Sequence, residues 1–370
     1  MDETLCTLAL SLIPGLGPLG FKKIMALASS AARAFSLSPQ ELKGLGFRSS
    51  VIKALKDPEK LLLRAQREME ALERLGARVI ALGQREYPTL LREIPDPPPV
   101  LFVQGRWSLG PYPLAIVGAR AASSYGLKIA KQWSRELAQA GLDIVSGLAL
   151  GIDAASHWGA LEGGGYTLAV LGCGLDQRYP AENQTLREKI LQNGGAIVTE
   201  FPLGTEPKPG HFPARNRIIS GVSRGVLVVE ASPRSGSLIT ARLAADQGRE
   251  VMAVPGNIYS RRSHGCHRLI REGALLVDQP AQVLEALGLE LRPEEKESVN
   301  SLTLEPLEAK VLGHLEVYPI HVDDLAVKTG LEVSALSGIL LALELKGLVE
   351  SLAGNFYQKV SEDEKRVDHR

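Results

Sequence analysis

Seven short apolar runs recur between about Tyr112 and Leu287: "PLAIVGAR", "LDIVSGLA", "TLAVLGCG", "AIVTEFP", "GVLVVEAS", "EVMAVPG" and "ALLVD". Each is bounded by Gly, Ser or Pro, and helix-patterned segments such as "LKIAKQWSRELAQAG" lie between them. Strands that alternate with helices of this length need right-handed crossovers, which give a mostly parallel sheet covered on both faces. The predicted fold class is therefore α/β, Rossmann-like and doubly wound. In such sheets ligands bind beyond the carboxyl ends of the strands. The first five runs end there in small residues or in Gly, Ser, Arg or Asp groups, so that edge is the candidate site.

Several motifs fall on the same edge. "IVGAR" ends a strand in Gly, a small residue and Arg120, which lets the backbone approach a phosphate with a cation beside it; a tight turn with a surface arginine has the same spelling. "SGLALGIDAASHWGAL" puts Gly147 at a strand end and Asp153 at a helix start, with His157 four residues on along the same face. That pair reads either as a helix cap with a packed histidine or as an acid and a base, and the former is the plainer reading. In "GHFPARNRIISG", which follows Lys208, His211 and Phe212 precede Arg215, Asn216 and Arg217 at a helix start. An aromatic ring among cations suits single-stranded nucleic acid, because stacking accepts any base while the cations follow the backbone; a buried Phe with surface arginines is the alternative.

The stretch "VVEASPRSGSLITA" has the layout of a phosphate cradle: a strand, a small turn at Ser235, Gly236 and Ser237, then a helix. Nucleotide-cleaving relatives of such sheets carry an acid-base Glu after the turn, where Thr240 stands here. The P-loop pattern GxxxxGK[ST] occurs nowhere in the chain. Small donors, amides and arginines without a positioned base favour binding over hydrolysis, so no catalytic residue is assigned. Net charge is zero, with 42 basic and 42 acidic residues, yet from Lys208 to Arg271 eleven Lys and Arg face only Glu230, Asp246 and Glu250. The centre of the chain is locally basic, as a nucleic-acid partner requires.

The flanks read as separate modules. "IPGLGPLGFKKIMA" and "LKGLGFRSSVIKAL" share a Gly-centred turn leading into a basic helix, the outline of a helix-hairpin-helix or SAM-like domain over residues 1–66, which either touches DNA or simply packs. The sheet core takes 67–288, a charged linker 289–304, a winged helix 305–360 and a tail 361–370. The candidate recognition helix, Val333 to Lys346, has only Glu344 and Lys346 as charges, which favours protein contact or weak DNA binding over base readout. Cys6, Cys173 and Cys266 lack paired spacing and read as reduced structural thiols, so neither a metal nor a cofactor is expected. An acidic "MDETL" start and no apolar run of about 18 residues or more point to a cytoplasmic chain without a membrane partner.

Taken in order, "VGAR", "SGLALGIDAASHWGAL", "LGCGLDQRYPAEN", "TEFPLG", "FPARNRIISG", "VVEASPRSGSLITARLA" and "AVPGNI" resemble the DNA-processing protein A (DprA, or Smf) family from about Val117 to Asp278. The resemblance implies a Rossmann-like protein, dimeric through its sheet domain, that binds and protects single-stranded DNA and loads the RecA recombinase onto it during natural transformation. It implies strand contacts at Arg120, Gly147, Phe212, Arg215, Asn216, Arg217, Ser235, Gly236 and Ser237; Lys208 and His211 join them as neighbours in the same basic segment. One departure is "SHGCHRLIREGA", where His267 and Arg268 stand near the family's usual Asn. The rival expectation is a nucleotide-binding enzyme of the phosphoribohydrolase type on the same fold. A third, a DNA-dependent regulator, would need duplex readout by the winged helix.

Overall fold

The computed structural model describes residues 2–289, 305–316, 319–352 and 354–359. The expected linker beyond its first residue and the expected tail lie outside them. The chain divides into two units, Met1–Leu291 and Arg292–Arg370.

The first unit is built on a nine-stranded sheet. Its strands are β1 (Ala77–Ala81), β2 (Val100–Gly105), β3 (Pro113–Val117), β4 (Asp143–Ser146), β5 (Thr167–Val170), β6 (Ala196–Thr199), β7 (Gly225–Val228), β8 (Glu250–Ala253) and β9 (Leu275–Leu276). They lie in the order β1-β2-β6-β5-β4-β3-β7-β8-β9. The seven strands from β6 to β9 are parallel, and β1 and β2 extend the β6 edge in antiparallel pairing. All seven sequence runs are therefore strands, and β3 to β7 are buried at nearly every position, as a sheet covered on both faces requires. Helices Ser124–Gln139 and Pro280–Ala286 put Trp133, Leu137, Val283 and Leu284 against one face. Helices His211–Gly221 and Ser237–Asp246 put Ile218, Ile219, Ala241 and Ala244 against the other.

This strand order fixes where a ligand fits. From β3 the chain steps outward through β4, β5 and β6, then returns to place β7 on the other side of β3. The connections that leave β3 and β7 consequently run to opposite faces, and a crevice opens between the two neighbouring strand ends.

Six helices precede the sheet, and the turns at Gly15 and Gly46 have φ of 84° and 81°. The expected break at 66–67 is corrected: it falls inside the uninterrupted helix Pro58–Arg74. Leu61, Ala65 and Leu72 of that helix share a core with Leu8, Leu10 and Phe21 of the helical layer and with Phe102 and Ile197 of the sheet. A module that closes its core on the sheet is continuous with it rather than hinged. In the second unit, helices Pro306–Gly313, Val322–Thr329 and Val333–Leu345 pack against β10 (Ile320–His321), β11 (Val349–Leu352) and β12 (Phe356–Lys359), giving a winged helix. No single helix among the described residues is long and apolar enough to cross a membrane.

Candidate nucleic-acid interface

The crevice at the ends of β3 and β7 is a groove of about 460 Å³. One wall is the turn Gly118–Ala121 after β3, and the other is Ser232–Ser237 after β7, with Phe212, Arg215 and Asn216 as its floor. Arg262, from the connection after β8, also reaches it. A smaller recess of about 130 Å³, lined by Gly147, Gly172, Tyr179, Arg120, Phe212 and Arg215, adjoins it.

Arg120 is exposed, and its guanidinium carbon lies 5.1 Å from the centre of the Phe212 ring. Phe212 is half-buried and also meets Tyr179, with ring centres 5.5 Å apart. The aromatic and the cation expected on separate motifs are thus one composite surface, in which the ring holds Arg120 in place without neutralising it. At the cradle, the Ser235 and Ser237 hydroxyls are 2.7 Å apart, and Asn216 Nδ2 donates to the Gly236 carbonyl at 3.5 Å. Gly236 precedes helix Ser237–Asp246, and the first amides are paired within the turn, Ser237 with Ser235 Oγ at 3.4 Å, Leu238 with the Ser235 carbonyl at 3.2 Å and Ile239 with the Gly236 carbonyl at 3.1 Å, so the groove meets the two hydroxyls and the positive end of a helix. A Cβ built on Gly236 meets nothing within 4 Å. The fold itself does not require glycine there.

Gly147 is the opposite case, because a Cβ there would lie 2.3 Å from a terminal nitrogen of Arg215. Arg215 is only 4 % exposed; its Nη1 donates to the Gly147 carbonyl at 2.7 Å and to the Val170 carbonyl. Burial lowers its pKa to about 10. The expectation that Arg215 offers a surface charge to a phosphate is corrected. It ties the ends of β4 and β5 together and faces the groove from below. Arg217 is corrected too, since it is 7 % exposed and paired with Glu200 and, at 3.2 Å, with Asp96. It does not line the groove. Lys208 is exposed and its carbonyl accepts from the His211 amide at 2.9 Å, but neither it nor His211 lines the groove. His211 instead stacks on Phe201 with ring centres 4.4 Å apart.

The acids near the groove are committed to the scaffold. Asp153 is buried and accepts from the Gly147 amide at 3.1 Å, so it braces the loop before its helix and does not cap the helix itself. Burial pushes its pKa up, and Arg215 opposes the shift. The hydrogen bond of His157 goes elsewhere: Nδ1 is 2.7 Å from Thr167 Oγ1, whose own proton goes to the Ile144 carbonyl. Nδ1 therefore carries the proton, and Nε2 is buried without a partner. Desolvation lowers the His157 pKa to about 3. Glu230 accepts from the Ser123 amide and hydroxyl, both at 2.8 Å, which anchors the start of helix Ser124–Gln139.

Sequence reasoning missed Arg262 and Tyr179 at this site, although one was counted in the basic stretch and the other stood in "LDQRYPAEN". Arg262 Nε donates to the Ala121 carbonyl at 3.0 Å and joins the walls of the groove. His267, the departure noted above, has its Nε2 3.0 Å from the Gly256 carbonyl and pins the connection after β8. All three cysteines are buried and free, and burial raises the Cys266 thiol to about 12. Among the described residues no cluster of His, Cys, Asp or Glu is placed to hold a metal.

The family model described as DNA recombination-mediator protein A matches residues 78–288, and that of the DprA winged helix domain matches 295–355. Protein Smf of a Synechocystis strain is 36 % identical over 95 % of this chain and 98 % of its own. DNA processing protein DprA of Streptococcus pneumoniae is 49 % identical over 54 % of this chain and 70 % of its own. An X-ray structure of DNA processing protein A from that species superposes with a TM-score of 0.67 at 36 % identity, covering 77 % of this chain and 98 % of the other. A second structure, concerning the single-stranded DNA binding mode of DNA processing protein A from Helicobacter pylori, gives 0.52 at 31 % identity over 56 % and 95 %.

Proposed function

The chain belongs to the DNA-processing protein A (DprA/Smf) family, and we propose that it holds single-stranded DNA in the groove between the β3 and β7 connections and delivers the strand to the RecA recombinase. The observation that carries this reading is Arg120 held over Phe212, opposite the Ser235 and Ser237 hydroxyls at the helix start. A cation, a ring and a hydroxyl-lined helix start suit a phosphate backbone with unstacked bases, and none of them reads base identity. The strand contacts are Arg120, Phe212, Asn216, Ser235, Gly236 and Ser237, with Arg262 added and Gly147 and Arg215 as the frame below. The Helicobacter pylori relative supports the ligand class, and the recombination-mediator description of the family supports the delivery step. An exposed outer strand β9, with Leu275 and Leu276 each 44 % exposed, supports assembly as a homodimer.

The enzyme reading is the weaker one. A phosphoribohydrolase needs a free acid beside the sugar, whereas Glu230 and Asp153 are both held by backbone amides. Release of free base from nucleoside monophosphates would restore that reading.

The test is binding of one sequence as a single strand and as a duplex across a salt series. The single strand is expected to bind well above duplex, and Arg120→Ala to weaken all sequences alike while lowering the slope of log affinity on log salt by about one. Equal affinity for both forms, or a loss confined to certain sequences, would count against it.

A further inference from the structure

The connection between β8 and helix His264–Arg271 carries the most exposed large apolar side chains of the first unit: Ile258 is 70 % and Tyr259 is 89 % exposed. Their backbone is well tied. The Tyr259 amide donates to Asn257 Oδ1 at 2.8 Å, His264 Nε2 lies 3.0 Å from the Ile258 carbonyl, and His267 holds Gly256. Tyr259 is thus held out to solvent on a braced loop, without a protein partner to cover it. An aromatic ring kept exposed in this way offers a ligand a flat apolar face.

Its surroundings select which ligand. Arg261 and Arg262 follow within three residues and both are exposed. Arg262 also lines the groove and is fastened to the β3 connection through the Ala121 carbonyl, so loop and groove share a cation. β8 pairs with β7, which places the loop at the same carboxyl edge, next to the cradle. A ring beside arginines at the end of a phosphate groove fits a nucleobase whose backbone continues along those arginines. We infer that Tyr259, with Ile258 and Arg261, is a further stacking station that takes a base of the same single strand after it passes Arg262. This rests on the groove reading above and extends its track across β8.

The length of strand bound separates the station from the groove. Tyr259→Ala, Tyr259→Trp and Arg120→Ala would be titrated with oligothymidylates of about 4 and about 16 nucleotides, the usual range of single-strand site sizes. Stacking contributes about 1–3 kcal/mol per base, so Tyr259→Ala is expected to weaken the longer oligomer about tenfold, leave the shorter one within about twofold, and keep the parental melting temperature. Tyr259→Trp should restore affinity, and its added indole fluorescence should be quenched by the longer oligomer. Arg120→Ala should weaken both lengths. If Arg120→Ala weakens both and Tyr259→Ala changes neither, the station is overturned and the groove stands. If neither substitution matters, both readings fall. A Tyr259→Ala protein that binds like the parent but changes its oligomeric state would show the ring to be covered by a second copy, which also overturns the proposal.

Discussion

Helices His211–Gly221 and Ser237–Asp246 pack side by side on one face of the sheet and both begin at the groove, but they use charge in opposite ways. The first carries Arg215 and Arg217, both buried, one spent on strand-end carbonyls and the other on Glu200 and Asp96. The second brings almost no charge to its start, yet offers two hydroxyls and the positive end of a helix at a glycine with open space around it. The helix that looks more like a DNA contact in the sequence is mainly scaffold, and the electrically plain one presents the donors. Cations that remain available, Arg120 and Arg262, come from loops, where a guanidinium can reach a ligand without first being desolvated.

The largest effect expected from this contrast is on folding. Arg217→Ala leaves Glu200 buried without its partner, and burial already pushes the Glu200 pKa upward. Breaking such a pair costs about 3–5 kcal/mol, so a large drop in the denaturant midpoint is expected. Strand affinity of the fraction that remains folded should stay near parental. A stable Arg217→Ala protein that has lost DNA binding would reverse the assignment and make Arg217 a contact.

A buried group of the opposite kind gives the next effect. His157 has its pKa lowered from 6.5 to about 3, so the folded state holds it neutral while the unfolded chain takes up a proton below pH 6.5. Unfolding then binds a proton, and stability, fully present above about pH 6.5, falls as pH drops toward 3. At pH 5 the loss is roughly 2 kcal/mol, at about 1.4 kcal/mol per unit. Denaturant melts at pH 7 and pH 5 should show it, and His157→Gln should flatten this part of the difference. An identical pH dependence in both proteins would mean that other groups carry it.

Such contrasts also show what was legible. The parallel sheet and all seven of its strands were readable because strand runs buried on both faces are continuous in sequence, as in "LAIV" and "VLVV". Antiparallel β1 and β2 were not read as strands, since pairing between residues 77–81 and 100–105 leaves no local helix-strand rhythm. Motif positions pointed to the carboxyl edge, where the structure has a groove. Burial of Arg215 and Arg217 was illegible: the sequence "RNR" does not say that Gly147 leaves a slot for one guanidinium or that Glu200 waits for the other. Arg262 was hidden for a similar reason, because it reaches the groove from the β8 connection and only the β3-β7-β8 order makes it a neighbour of Arg120. In the winged helix, by contrast, the shortage of cations was plain in "VSALSGILLALELK", and the fold adds that Lys346 is held by Glu308 at 2.6 Å while Leu341 and Leu345 stay exposed.

The smallest effects sharpen the comparison most, because they separate fold from ligand at one turn. Gly236→Asp inserts a carboxylate where no protein atom lies within 4 Å, at a φ of −62° that any residue adopts. An acid at a helix start is favoured by the dipole, so stability should hold or rise by a few tenths of a kcal/mol. The same carboxylate would repel a phosphate at the helix start, and single-strand affinity should fall by about tenfold or more, at about 1.4 kcal/mol per decade. Ser237→Ala is the mild companion: it removes the hydroxyl bonded to Ser235 at 2.7 Å and leaves every backbone amide in place. Loss of one hydrogen bond puts its effect at about 0.5–1.5 kcal/mol, on stability and on binding alike. Melting and strand titration on the two variants give the decision. If Gly236→Asp melts like the parent and binds like it as well, the turn is only a connection between β7 and its helix, and the phosphate lies along Arg120 and Arg262 without touching the cradle.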